Sequence, residues 1–279
     1  MKLIQVNDLS LQNEGYFAFR HVAFSLSQNQ IIGLSGESGS GKTQLLEALA
    51  QENVPDSGTI EYTPGSRIGY LPQLDPQLID QNVGKYLESI RRLSKKLAVR
   101  PEQLQGMITF LGMSPYIDTP VRQLSLGLRR RVGFLAAVAG HPNILLLDEP
   151  FAFQSQQTIE KMLSLMQDLK ENGAGILVGS TEFSQTVKNS LDNQYLLKDA
   201  KLTPVKTVQP SEEKRLLVFA VNRNSVALPK ELEKFVISII DDQVELEIPL
   251  SLKDQVVAKM LQLNYRLKGV QKDENQNSL

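Results

Sequence analysis

The eight residues Gly36, Glu37, Ser38, Gly39, Ser40, Gly41, Lys42 and Thr43 fit the pattern G-x-x-x-x-G-K-[ST]. Glycines let such a loop curl so that successive N–H groups point inward at phosphate oxygens, and a helix starting behind it adds partial positive charge. Lys42 would then reach the terminal phosphates of a nucleotide, and Thr43 would hold Mg²⁺. Glycine punctuation before a helix is the plainer reading, but the flanks argue for the phosphate loop. The apolar run 31–34 reads as a buried strand and QLLEALA as the first turns of a helix. A second chemical group lies downstream, where ILLLDEP at 144–150 ends an apolar strand in two carboxylates. At the C-terminal edge of an α/β sheet, Asp148 would bind the Mg²⁺ shell directly or through water, and Glu149 would polarise an attacking water. Taken alone, the same pair would serve equally as strand-end solvation or a helix cap.

The elements around these groups are those of an α/β protein. KLIQVNDLSL and FAFRHVAFSL alternate as a β-hairpin or meander does; after the Lys42 helix, VPDSGTIEY and SRIGYLPQ supply two more strands. From about Asp75 to Gln123 the spacing becomes helical, as in NVGKYLESIRRLSKKLAV and PEQLQGMITFLGM. A long helix over 126–139, the acidic strand, a helix over about 156–170 and the strand AGILVGS follow, and that alternation indicates a parallel sheet. KLTPVKTVQPSEEK, with two prolines and no period, reads as a linker over 201–213 or so. Beyond it, RLLVFAV, PKELEKFV, ISIIDDQVELEIPL, SLKDQVVAKMLQLN and RLKGVQ order as strand, helix, strands, helix and strand, a small α+β sandwich. The last residues, KDENQNSL, read as a disordered tail.

A chain of 279 residues with 41% hydrophobic content supports one large domain or two unequal ones. Its net charge of −1 offers no global field for nucleic acid, so no nucleic-acid partner is expected. The lack of cysteine excludes disulfides and thiolate chemistry, and two histidines, His21 and His141, cannot build a His-rich metal site. No run approaches 18 apolar residues, so action at a membrane requires another chain to span it. RRLSKK at 91–96 reads as the solvated side of an amphipathic helix, and the members of the Arg129, Arg130, Arg131 triplet cannot share one helix face; Arg130 or Arg131 reads equally as support for the loop before that helix or as solvated charge.

Between the phosphate loop and the acidic pair stands QLSLGLRRR, with Ser125 a good helix cap. These segments, in this order, resemble the ATP-binding cassette (ABC) ATPases, whose signature is L-S-G-G-Q. Leu124, Ser125 and Gly127 match it, whereas Leu126 replaces the first glycine and Leu128 the glutamine. The resemblance covers about residues 1–202. It implies a P-loop NTPase domain with an antiparallel β subdomain and a helical insert (1–205, insert about 74–123), followed by the α+β accessory unit (206–279). It further implies ATP and Mg²⁺ sandwiched in a dimer, with Ser125 and Gly127 meeting the γ-phosphate held by the opposite subunit. Gln73 would touch Mg²⁺ and join core to insert, and Tyr16 or Phe17 would stack on adenine. Two positions depart from the family: Ser155 stands where the aspartate of S-A-L-D is usual, and Thr181 where a switch histidine follows the last strand. Threonine still donates a hydrogen bond but cannot become cationic, so slow hydrolysis is expected. The implied role is the ATP-hydrolysing subunit of a membrane transporter, at the cytoplasmic face of the cell membrane. It would act as a homodimer, or as a heterodimer with another ABC ATPase, on separate permease chains. A soluble non-transport ABC ATPase and a regulator with little turnover are the alternatives. The C-terminal segment 244–271 is similar to accessory domains of drug-exporter ATPases, and small regulatory domains of some importers share its order; the balance leans towards export.

Overall fold

The computed structural model describes residues 1–13, 15–73, 80–94, 98–205, 214–222, 225–226, 228–240, 242–249 and 252–272. Two compact units divide the chain, Met1–Lys206 and Thr207–Leu279.

The first unit is built on two sheets. Strands β1 (Lys2–Asn13) and β2 (Tyr16–Ser27) form an antiparallel hairpin, and β4 (Ser57–Tyr62) joins the other side of β1. The larger sheet has the order β5 (Ile68–Leu71), β6 (Ile144–Asp148), β7 (Gly175–Ser180), β3 (Gln30–Ser35), β8 (Asn193–Lys198), β9 (Lys201–Val205). All its pairings are parallel except β8 with β9. Every residue of β6 and β7 is buried, which is why these segments read as continuous apolar runs rather than alternating ones. The register sets Ser35 beside Ser180, and Asp148 beside Gly179. The C-terminal ends of β3, β6 and β7 therefore reach the same edge of the sheet, where ligands bind in open α/β folds.

Helix α1 (Lys42–Leu49) packs Leu45, Leu46 and Leu49 into the core between the two sheets, together with Ile32, Leu34, Ile144 and Leu146. The opposite face carries α4 (Leu126–Ala139) and α5 (Gln156–Glu171), with the helical layer α2 (Val83–Leu93) and α3 (Pro101–Phe110). Asn82, Ser125 and Ser155 cap α2, α4 and α5 by accepting from the amides of Lys85, Leu128 and Thr158. A short helix, α6 (Gln185–Lys188), precedes β8. In the second unit, β10 (Lys214–Ala220), β11 (Val236–Ile240), β12 (Gln243–Pro249) and β13 (Arg266–Lys272) form an antiparallel sheet of order β11-β12-β10-β13. Short α7 (Lys230–Glu233) and α8 (Lys253–Gln262) help close a core of Leu217, Phe219, Leu246, Ile248 and Met260.

Three sequence readings are corrected. The expected linker begins with a strand, β9, because Asp199 and Ala200 adopt left-handed φ values of 51° and 60° and turn the chain back on β8. Pro204 is tolerated there because β9 is the edge of the sheet. The helix expected over PKELEKFV stops at Glu233, since Val236 already pairs with Leu246 in the sheet. Helix α2 ends at Leu93, with Ser94 as its cap, so Ser94 is not helical; Lys95, Lys96 and Leu97 lie outside the described residues. The same holds for residues 74–79, the start of the expected insert, and for 273–279 of the expected tail.

Candidate functional site

The turn from β3 to α1 is the phosphate-loop segment. Gly41 caps α1 with φ 101°, and a Cβ there would collide with the Ala18 carbonyl of β2, so only glycine fits. Lys42 is 6% exposed, and its Nζ donates to the carbonyls of Gly36 (2.7 Å) and Glu37 (2.9 Å). The ammonium therefore sits in the curl of its own loop. Burial lowers its pKa from the usual lysine range, and the carboxylates of Glu149 and Asp148 oppose that shift.

At the end of β6, Asp148 is 1% exposed. The Thr43 hydroxyl lies 2.6 Å from Asp148 Oδ2, to which it donates, and 3.2 Å from Gln73 Oε1. Asp148 Oδ1 is buried with no hydrogen-bond partner. A buried carboxylate oxygen left unpaired is costly, and Thr43 Oγ1, Gln73 Oε1 and Asp148 Oδ2, linked by these contacts, are hard oxygen groups of the kind Mg²⁺ favours. Burial raises the Asp148 pKa; the bond from Thr43 works against that, and the neighbouring Glu149 adds to it. Thr43, Gln73 and Asp148 thus fit a divalent cation.

Glu149 is half-buried, with a left-handed φ of 46°. Its Oε1 accepts from the Thr181 amide (2.6 Å) and hydroxyl (2.8 Å), and its Oε2 from the Ser180 hydroxyl (2.9 Å). Lys42, Thr43, Gln73, Asp148, Glu149 and Thr181 line one cavity of about 160 Å³ with Ser38, Gly39 and Gly41. Glu37 and Ser40 line a neighbouring cavity of about 510 Å³ with Phe17 and the β8–β9 turn. Of the two aromatic residues considered for a base, Phe17 borders that space, whereas Tyr16 is 82% exposed and is not in its lining. Gly36 contributes the carbonyl bonded to Lys42.

Ser125 and Gly127 line neither cavity. Ser125 Oγ accepts from the Leu128 amide (3.4 Å) at the start of α4, and a Cβ on Gly127 would stand 2.6 Å from the Phe153 carbonyl. Gln154 bonds the Gly127 carbonyl (2.9 Å), and Leu126 is 47% exposed. Ser155 caps α5 and lines neither cavity. Sequence reasoning missed Ser180 and Gln154, and left open for Arg130 a role beside the loop or in solvent. Arg130 is 2% exposed, and the signal was present: it continues the buried i, i+4 row of Phe134 and Val138 by one turn.

A family model described as ABC transporter matches residues 19–152. The zinc import ATP-binding protein ZnuC of Jannaschia sp. is 30% identical over 183 residues, covering 65% of this chain and 74% of the relative. The Nod factor export ATP-binding protein I of Ralstonia nicotianae is 30% identical over 182 residues, and the match covers 61% of this chain and 56% of the relative's length. Among solved structures, the dimeric structure of a bacterial ABC transporter cassette superposes with a TM-score of 0.64 at 20% identity, covering 72% of this chain and 96% of that one; at that identity the likeness is one of fold. With the ordered loop, acidic strand and capped α4 in place, the chain belongs to the ABC transporter ATP-binding protein family.

Proposed function

We propose that the chain is the ATP-binding and ATP-hydrolysing subunit of a membrane transporter. One observation carries this reading: residues from four separate segments, Lys42 and Thr43, Gln73, Asp148 and Glu149, and Thr181, converge on a single cavity at the end of the parallel strands. In this reading the loop amides and Lys42 take the β- and γ-phosphates, and Lys42 exchanges its two loop carbonyls for phosphate oxygens. Thr43, Gln73 and Asp148 would hold Mg²⁺, which when bound neutralises charge building on the transferred phosphoryl group. Glu149 orients and accepts a proton from the attacking water. Phe17, at the mouth of the adjoining cavity, is better placed than Tyr16 for the adenine ring.

Ser125 and Gly127, remote from this cavity, suit a site completed by a second cassette, so a dimer with ATP between the subunits is part of the proposal. The partner is a second copy or another ABC ATPase. No helix among the described residues is long and apolar enough to cross a membrane. Permease subunits on separate chains, at the cytoplasmic face of the membrane, are proposed as partners. The unit beyond Lys206 is proposed as an accessory domain, and reading its strand, helix, strand end as the kind carried by drug-exporter ATPases would favour export. Ser155 at the aspartate position and Thr181 at the histidine position point to slow turnover.

Fluorescent-ATP titration of wild type, Lys42→Ala and Glu149→Gln tests the reading. Lys42→Ala is expected to lose most affinity, and Glu149→Gln to keep affinity while losing turnover. Equal affinity of wild type and Lys42→Ala would refute it.

A further inference from the structure

Arg130 is a buried cation on the helix that begins at the signature. Its Nε donates to the Glu149 carbonyl (3.0 Å), and its Nη1 to the carbonyls of Pro72 (2.6 Å) and Gln73 (3.3 Å). One planar fork thus gathers the backbone of two loops: the one leaving β5 that carries Gln73, and the one leaving β6 that carries Glu149. A charge is costly to bury, and the converging carbonyl dipoles, with the coulombic attraction of the nearby Asp148 carboxylate, act against that cost here. The loops it joins are not regular structure. Glu149 stands in a left-handed conformation that persists in a residue with a side chain only when the surroundings over-determine it. Its amide bonds the Gly179 carbonyl (2.8 Å) and its own carbonyl bonds Arg130, so the peptide is held from both sides.

The next residue shows that this role belongs to one side chain and not to a generally basic helix. Arg131 points elsewhere, donating to Gln154 Oε1 (2.9 Å) and to the Leu111 carbonyl (3.3 Å).

We propose that Arg130 is a positioning residue for ATP hydrolysis. It sets the stance of the Glu149 carboxylate and the Gln73 amide relative to Thr43, and it carries any displacement of α4 to both at once. It does not line the cavity that Lys42, Asp148 and Glu149 share. The inference rests on the proposed ATPase reading and deepens it, because it makes the helix bearing Ser125 and Gly127 a mechanical part of the same chain's own phosphate site.

The test compares wild type with Arg130→Lys, which keeps the charge without the fork, and Arg130→Met, which removes both. Fluorescent-ATP affinity and stoichiometry, turnover per bound ATP, KM and the Mg²⁺ concentration for half-maximal turnover are measured. Both variants are expected to bind ATP within about threefold of wild type. Turnover per site is expected to fall about 10- to 100-fold with KM held, the loss being greater in Arg130→Met. The half-saturating Mg²⁺ should rise as Gln73 loses its support. A mere loss of folded protein would lower the stoichiometry and leave the Mg²⁺ requirement alone. Wild-type turnover per site in Arg130→Met overturns the proposal, as does failure of both variants to fold, which would make Arg130 a packing residue. Failure of the wild type to bind Mg-ATP would instead remove the ATPase reading itself.

Discussion

Replacing Thr181 by valine removes one atom group from the Glu149 clamp and almost nothing else. Three donors hold that carboxylate, at 2.6, 2.8 and 2.9 Å, and valine deletes only the hydroxyl at 2.8 Å while keeping the amide and the shape of the side chain. Thr181 is exposed, so fold stability should change by no more than about 1.5 kcal/mol. A hydrogen bond to a charged acceptor contributes roughly 1.5–3 kcal/mol, and exposure places this one at or below the lower end. With about 1.4 kcal/mol per factor of ten in rate, turnover at saturating Mg-ATP should fall about tenfold. Affinity for fluorescent ATP should stay within a few fold, because the group lost bears on Glu149, the proposed general base, and not on the glycine loop. Thr181→Ser, which retains the hydroxyl, should recover most of the rate. Unchanged turnover in a folded, ATP-binding Thr181→Val would refute the reasoning: the amide and Ser180 alone would then suffice to orient Glu149.

A chain ending at Lys206 should fold and bind Mg-ATP with near-wild-type affinity, as seen by circular dichroism and titration, because every residue of the phosphate cavity precedes that point. Glu88 on α2 accepts from Arg91 and Arg92, and those bonds lower its pKa from the usual 4.5 to about 2. A depressed carboxylate pKa contributes stability that is present above pH 4.5 and lost as pH falls towards 2. Thermal melts of wild type and Glu88→Gln should therefore differ slightly at pH 7 and converge as the pH falls below about 4, whereas a constant difference would count against the pairing. Gly127→Ala, whose Cβ would press on the Phe153 carbonyl, should lower the melting temperature through the loop after β6 while ATP affinity in the monomer is kept.

Much of the site was legible because its parts are local. A glycine loop between an apolar run and a helix, a strand ending in Asp148 and Glu149, and Ser125 before α4 are each specified by neighbours a few residues away, through backbone conformation and capping. The linker reading failed at β9 for the complementary reason: Pro204 is a breaker by propensity, and only the edge position of the strand makes it harmless. Arg130 read equally as support for the signature loop or as solvated charge, because the carbonyls that receive it lie 19 and 58 residues away. Thr181, read as a shortened switch residue, turns its amide and hydroxyl to Glu149, 32 residues earlier in the chain. The sequence by itself determined which groups of phosphate chemistry the protein carries, and in what order. The tertiary structure alone decided that β7 lies between β6 and β3, which sets Ser180 and Thr181 against the acidic pair and lets one buried guanidinium tie two loops together. Local pattern encodes elements, whereas strand order and the pairing of distant polar groups are settled only when the whole core excludes water and leaves each buried charge the partners that folding brings to it.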